Sequence, residues 1–339
     1  MTERATPRRN KRAALVYNPT KVDKATLRSA VTKHSADAGW ARPLFLETTV
    51  EDLGQGVTRR ALAEGVDAVL VAGGDGTVRA VSEAMCESGI PLTIVPSGTG
   101  NLLARNLGLP LVDPEHMVQA AFDGDTVAID LGIATLVRAD GSAEKHGFVV
   151  MGGIGLDAAM IANTSAQLKK AVGWMAYVDG AARSLPGAKP FRVLYQLERN
   201  PLERARIHSA RVQSVLFANC GALPAGIELV PGASITDGLL DVAVIQPAGR
   251  LGWLGVWRKI WWDNSVLRRF RAGRLVLERR GRDASVLYLR GSGIEVGAET
   301  PHAVQLDGDE FGEAKRVRCR VVADGLLLVV PRGHDTSRL

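Results

Sequence analysis

The chain has 339 residues, of which 46% are apolar, and carries a formal net charge of +6. That length argues for two domains rather than one, and the apolar fraction is enough to build a core in each. No uninterrupted apolar run reaches the roughly 18–20 residues of a membrane span, and the three scattered cysteines suit reduced thiols better than a disulfide framework.

Residues 1–12 are basic and lack a following apolar stretch, so they read as a flexible tail rather than a signal peptide. From residue 13 to 125 the pattern alternates between strands and helices. Ala13–Tyr17 is a short apolar run that stops at Asn18-Pro19. Leu27 to Trp40 has helical spacing, Pro43–Leu46 is a second apolar run, and Leu53–Glu64 is helical again. Asp67–Ala72 reads as a buried strand ending at Gly73-Gly74, Val78–Cys86 as a helix, and Leu92–Val95 as a strand ending at Pro96. Continuous apolar strands separated by amphipathic helices predict a parallel sheet covered on both faces.

After about residue 125 the pattern becomes β-rich through residue 332, leaving 333–339 as a tail. Strands are expected at Thr126–Ile133, Gly147–Met151, Phe191–Leu197, Arg211–Ala218, Leu239–Ile245, Leu275–Leu277, Val286–Leu289, Val304–Leu306, Val317–Val322 and Leu326–Val330. Such short segments, separated by turn residues, predict a sandwich-like antiparallel domain. Two helical insertions are expected, at roughly 156–184 and 250–270.

Four strand ends carry polar residues suited to a polyphosphate. The densest is Gly73-Gly74-Asp75-Gly76-Thr77, between a buried strand and a helix. Glycines there let backbone N–H groups approach phosphate oxygens, and the helix N-terminus adds partial positive charge. Asp75 can reach Mg²⁺. Pro96-Ser97-Gly98-Thr99-Gly100-Asn101 is a second such loop, and Asn18-Pro19-Thr20-Lys21 and Glu47-Thr48-Thr49 end two further strands. In open parallel sheets, ligands bind at the carboxyl ends of the strands.

These loops resemble the diacylglycerol kinase catalytic-domain family, which includes soluble bacterial lipid kinases, sphingosine kinases and ceramide kinase. The GGDGT and PSGTGN loops carry the resemblance. It continues through Asp130-Leu131-Gly132, Gly153-Ile154-Gly155-Leu156-Asp157-Ala158, Asn219, Pro231, Ala233, Asp237-Gly238-Leu239-Leu240-Asp241 and Gln305-Leu306-Asp307-Gly308-Asp309.

The resemblance implies an α/β nucleotide domain similar to phosphofructokinase and NAD kinase, then a β-rich lipid-binding domain, with ATP in the cleft between them. ATP contacts would come from Asn18, Pro19, Thr20, Thr48 or Thr49, Gly73, Gly74, Asp75, Gly76, Thr77, Gly98, Thr99 and Asn101. A structural Mg²⁺ would be held by Asp237 with backbone oxygens of Ser234 and Leu239. Asp309, at the family's glutamate position, would be the general base, with Asp75 anchoring Mg²⁺–ATP. Glu310 would point to the other face of a strand. The chain departs from the family at Arg79-Ala80, where Asn-Glu is frequent, and at Val150, where Asn is common.

Read by itself, Asp237-Gly238 is a β-turn and Asp307-Gly308 a hairpin turn. The segment 250–271 places Trp253, Trp257 and Trp261 on one helical stripe beside Arg258, Lys259, Arg268, Arg269 and Arg271. This stripe suits either a membrane interface or the core of the β-rich domain. The basic run 268–282 lacks the interleaved aromatics of single-strand nucleic-acid binders, and the six histidines show no ligand or triad spacing.

The expected protein is therefore a cytoplasmic lipid kinase, peripherally membrane-associated, that uses ATP and Mg²⁺ to phosphorylate a lipid alcohol and has no nucleic-acid partner. The alternatives are an NAD kinase-like phosphotransferase and a non-catalytic nucleotide- or lipid-binding regulator. Neither the acceptor lipid nor the oligomeric state is legible.

Overall fold

The computed structural model describes residues 10–155, 190–198, 206–221, 230, 232–246 and 286–337. Both expected helical insertions, the Leu275–Leu277 strand, the Trp253–Trp257–Trp261 stripe, Leu156-Asp157-Ala158 and Pro231 lie outside the described residues. The chain divides into two compact units. The first comprises Met1–Gly98, Leu109–Ala128 and Leu326–Thr336; the second comprises Thr99–Gly108, Ile129–Gly325 and Ser337–Leu339. This differs from the sequence boundary at 125 in two places. The last strand returns to the first unit, and a short stretch after the PSG segment belongs to the second.

In the first unit, β1 (Arg12–Tyr17), α1 (Lys24–Asp37), β2 (Ala41–Glu47), α2 (Gln55–Ala63), β3 (Ala68–Gly73), α3 (Asp75–Met85) and β4 (Pro91–Pro96) alternate as expected. The helix α4 (Leu102–Asn106) follows in the second unit, and α5 (Pro114–Asp123) returns to the first. Every residue of β3 is buried, as a strand covered on both faces requires. The Asp23 carboxylate caps α1 by accepting from the Ala25 and Thr26 N–H groups, and Leu27, Val31 and Ser35 form its buried stripe. Asp52 does similar work for α2, accepting from the N–H groups of Gly54, Gly56 and Val57. The sequence reading contained no α5, although Asp113 as cap and Pro114 in its first turn are a helix-start signal.

Strands β2, β1, β3 and β4 lie side by side and all run parallel. The end of β14 (Asp309–Val330) extends the sheet, with Leu327 and Leu328 running parallel to Pro91 and Leu92. In the order 2-1-3-4 the chain leaves β1 toward one side for β2 and then crosses to the other for β3. That makes the carboxyl ends of β1 and β3 the topological switch point.

The second unit is antiparallel. It contains β5 (Asp125–Val137, from Ile129 onward), β6 (Ala143–Phe148), β7 (Met151–Ile154), β8 (Phe191–Glu198), β9 (Ile207–Val212), β10 (Ser214–Ala218), β11 (Leu240–Ile245), β12 (Val286–Gly291), β13 (Gly293–Leu306) and most of β14. Neighbours run β12-β11-β10-β7-β13-β14, with β8 joined to β13 and β9 to β8. The expected Gly147–Met151 strand is divided between β6 and β7, and Arg211–Ala218 between β9 and β10. The two segments expected at Val317–Val322 and Leu326–Val330 form one long strand. The core gathers Phe148, Ile154, Phe217, Val242, Ile294, Val296, Leu306 and Val317. Burial of such a side chain contributes about 1.5–3 kcal/mol.

Candidate functional site

At the switch point, the Asn18 N–H donates to the Ala72 carbonyl at 2.9 Å, joining the end of β1 to β3. The Asn18 Oδ1 atom accepts from the Thr20 N–H at 3.0 Å and hydroxyl at 2.8 Å, folding Asn18-Pro19-Thr20 into a tight turn. Gly73 closes β3, where a Cβ would stand 2.7 Å from the Thr77 Cβ. Glycine is therefore required there by the close approach of α3. Gly74 is different: its φ of −84° is open to any residue, and a Cβ would meet nothing within 4 Å.

The helix begins at Asp75, three residues earlier than the expected Val78. Asp75, Gly76 and Thr77 therefore occupy its first turn rather than a loop before it. An α-helix cannot satisfy its own first-turn N–H groups, and its dipole is positive at that end. Thr77 is buried, while Gly74, Asp75 and Gly76 are half-buried.

Around this centre, the Glu47 carboxylate accepts from the Tyr17 hydroxyl at 2.8 Å and pairs with the Lys24 ammonium. These contacts pull Glu47 below the usual carboxylate range, the Lys24 hydrogen bond contributing most. Thr48 is buried and donates its N–H to the Tyr17 carbonyl, whereas Thr49 is exposed and its hydroxyl accepts from the Asp52 N–H. At the end of β4, the Ser97 hydroxyl donates to the Val95 carbonyl, and Gly98 is the last residue of the first unit before the division. Thr99 and Asn101 begin the second unit; Asn101 opens α4 with φ +48°, a left-handed conformation that Asn tolerates. Arg79 is 2% exposed and pairs with Glu83 at 3.4 Å across one turn of α3, so this departure from the family is accommodated in the fold.

In the second unit, Asp307 and Gly308 have φ of +49° and +88° and form the two-residue turn of the β13–β14 hairpin. The buried Asp307 carboxylate accepts from the N–H groups of Val149, Val150 and Met151 at 2.7, 2.9 and 2.9 Å. Asp309 opens β14, half-buried and opposite Leu306, and Glu310 is exposed opposite Gln305. Consecutive side chains on a strand point to opposite faces.

The sequence reading gave no role to Asp130, the acid of the Asp130-Leu131-Gly132 strand. It is buried, and its two carboxylate oxygens accept from the Gly238 N–H at 2.7 Å and the Asp324 N–H at 3.0 Å. Burial pushes its pKa up, the two amides work against that rise, and the neighbouring Asp237 and Asp324 charges add to it. The Asn219 amide donates to the Asp130 and Val149 carbonyls. An acid inside the apolar run Thr126–Ile133 was the signal available for this network.

The expected structural-metal residues, Ser234, Asp237 and Leu239, lie in one loop. Asp237 Oδ1 accepts from the Leu239 N–H at 3.0 Å, and the Ser234 hydroxyl lies 3.2 Å from that of Thr236. Asp237 Oδ2, however, is held at 2.7 Å by the Arg290 guanidinium. A divalent ion on that oxygen would lie close to a fixed cation. Even unit charges 4 Å apart interact by about 4 kcal/mol at a protein-surface dielectric, and a divalent ion doubles this before screening. Among the described residues no group of three His, Cys, Asp or Glu side chains could hold a metal. With its Oδ2 paired to Arg290, Asp237 as it stands does not offer that oxygen to a second, structural divalent ion.

Burial pushes the Cys220 and Cys319 thiols well above their usual range, and neither these nor Cys86 forms a disulfide. Among the described residues no helix is long and apolar enough to cross a membrane.

Residues 12–134 match the diacylglycerol kinase catalytic domain, and residues 149–330 match the YegS C-terminal NAD kinase beta sandwich-like domain. A diacylglycerol kinase of Mycobacterium tuberculosis is 32% identical over 192 residues, which is 56% of this chain and 58% of that one. The chain thus spans less than two thirds of that relative. A probable YegS-like lipid kinase of Pseudomonas fluorescens is 31% identical over 238 residues, covering 69% of this chain and 73% of the relative. In fold, a solved structure described as a putative diacylglycerol kinase of Bacillus anthracis superposes with a TM-score of 0.72 at 20% identity, covering 97% of this chain and all of that one.

Proposed function

This chain belongs to the diacylglycerol kinase family, and from that premise we propose that it transfers the γ-phosphoryl group of ATP to a hydroxyl of diacylglycerol or a related lipid alcohol. One observation carries the reading. At the switch point the chain keeps Gly74 at a position where neither backbone conformation nor packing asks for glycine. A side chain there would occupy the space in front of the first turn of α3. An anion needs that space to reach the turn's N–H groups.

Phosphoryl transfer needs the γ-phosphate charge neutralised and the attacking oxygen held in line. The amides of Gly74, Asp75 and Gly76 and the positive end of α3 serve the first need. Asp75, in the first turn of α3, would anchor the Mg²⁺ that comes with the nucleotide as MgATP. The turn at Asn18, Pro19 and Thr20, with Thr49, borders the nucleotide. Thr48 and Thr77, being buried, support these loops rather than face a ligand. Asp309 accepts the proton of the lipid hydroxyl as it attacks, and the phosphoryl group passes directly to that oxygen without a phospho-enzyme, the bond to the β,γ-bridging oxygen breaking and ADP leaving. Because the acceptor is a lipid, the reading places the protein at a membrane surface as a peripheral enzyme.

The NAD kinase-like alternative shares the α/β glycine loops and the sandwich. The Asp237–Asp241 stretch and the Asp307-Gly308-Asp309 hairpin favour the lipid reading. The test is transfer of label from γ-labelled ATP to detergent-solubilised diacylglycerol by the wild type and by Asp75→Ala. Label on the lipid, lost in a variant that melts like the wild type, supports the proposal. Equal turnover by the variant would sink the assignment of this turn as the phosphate site.

A further inference from the structure

The loop that resembles the family's cation site already contains a cation. Arg290 stands on β12 directly opposite Asp241 on β11. Its terminal nitrogen contacts Asp237 Oδ2 at 2.7 Å and the Gly232 carbonyl at 2.7 Å, and its Nε lies 3.2 Å from the Asp241 carboxylate. One planar group thus gathers oxygens from three residues: two carboxylates and a backbone carbonyl. A hard divalent ion would collect the same donor types. The guanidinium suits the task because it is always charged and presents its donors in a fixed fork.

The surroundings show why a positive charge is needed there. Asp237 and Asp241 flank the Gly238 turn, and the Asp130 carboxylate reaches the same turn through the Gly238 N–H. Three acids therefore crowd one short loop, and like charges at that spacing repel. Gly238 holds a left-handed φ of +70° at the centre, so the loop has one defined shape to maintain. With β12 fixed against β11 by six residue pairs in register, Arg290 is anchored by the sheet rather than by the loop it neutralises.

We infer that Arg290 replaces the structural divalent ion of this family, so that the Gly232–Asp241 loop is ordered without bound metal and Mg²⁺ reaches the protein only with nucleotide. The inference rests on family membership and not on the acceptor proposed above, and its readouts involve neither lipid nor turnover.

Thermal melting and metal content of the full chain test it. The wild type, purified through a chelator, should contain no tightly bound divalent ion. It should melt at the same temperature in chelator and in millimolar Mg²⁺, without nucleotide. Arg290→Gln should melt several degrees lower in chelator and recover part of the loss with added Mg²⁺, because the uncompensated acids then attract the ion. Arg290→Lys should fall between the two, keeping the charge and losing the fork. A saturable rise of the wild-type melting temperature with Mg²⁺, or one equivalent of divalent ion surviving purification, would overturn the inference. Should Arg290→Gln fail to fold, the wild-type melting and metal content still decide.

Discussion

In the strand-to-helix turn Gly73–Thr77, a side chain is missing at Gly74 although nothing in the protein would obstruct one. In the hairpin turn Asp307–Asp309, by contrast, the first acid has its carboxylate committed to three backbone amides. Both segments pair aspartate with glycine, yet the fold uses them differently. Gly73 and Gly308 are glycines the fold needs, one for close packing and one for a left-handed φ. Gly74 has no such duty. Asp307 holds the hairpin against the start of β7, whereas Asp309, two residues on, is the acid proposed as the proton acceptor. The comparison separates residues that shape a site from residues that act in it, which a shared motif cannot do.

The largest effect that would break this separation is on turnover. Asp309→Asn keeps the shape and removes the base, so kcat should fall by roughly 10²–10⁴ with ATP affinity nearly unchanged. Asp309→Glu should retain substantial activity, and Glu310→Gln should behave as the wild type. A dead Glu310→Gln beside an active Asp309→Asn would move the base to Glu310.

Asp307→Ala should act on stability instead. It leaves three N–H groups without their buried acceptor, each worth roughly 1–3 kcal/mol, so the loss should be about 3 kcal/mol or more. Denaturant unfolding measures it. A variant of normal stability with lost turnover would make Asp307 a reacting group.

The glycine pair gives a smaller contrast. Gly73→Ala forces a Cβ against Thr77 and should cost about 1–3 kcal/mol. Gly74→Ala should leave stability unchanged or raise it by about 0.4–1 kcal/mol, while raising the KM for ATP. A destabilised Gly74→Ala with normal KM would place the open space outside the nucleotide site.

The smallest effect is one of pH. The Asp130 pKa is raised in the fold, chiefly by burial, so the native state binds its proton more readily than the unfolded chain. Its contribution to stability therefore declines as pH rises from the unfolded carboxylate value through the folded one, and is least favourable above that window. Stability measured against pH should show a shallower decline across this acidic range in Asp130→Asn. A steeper one would contradict the direction of the shift.

The alternating pattern of the first unit was legible because parallel strands buried on both faces leave continuous apolar runs such as β3. The start of α3 was misplaced because Asp75, Gly76 and Thr77 are poor helix formers by propensity, yet they form its first turn, with Thr77 lying close against Gly73. The helix α5 was missed despite its Asp113-Pro114 start. In the second unit many strands were legible, but most of β13 before Val304, the start of β14 and the start of β6 were not, nor were the joins between strands. Whether Val317–Val322 and Leu326–Val330 form one strand or two depends on a residue at φ +53°, Asp324, held by the distant Asp130. At the candidate site, the strand-end loops were visible as local glycine clusters. The roles of Asp307, Asp130 and Arg290 arise from partners 49 to 194 residues away in sequence, which no local pattern encodes.

The central claim is that the chain phosphorylates a lipid alcohol. Purified protein should be given γ-labelled ATP and Mg²⁺ with diacylglycerol, monoacylglycerol, sphingosine, ceramide, glycolipids and NAD in parallel. The account predicts label on at least one lipid and none on NAD. Labelled NADP with no labelled lipid would contradict it and transfer the case to the NAD kinase-like reading. ATP binding with no labelled product of any kind would contradict it in favour of a non-catalytic regulator.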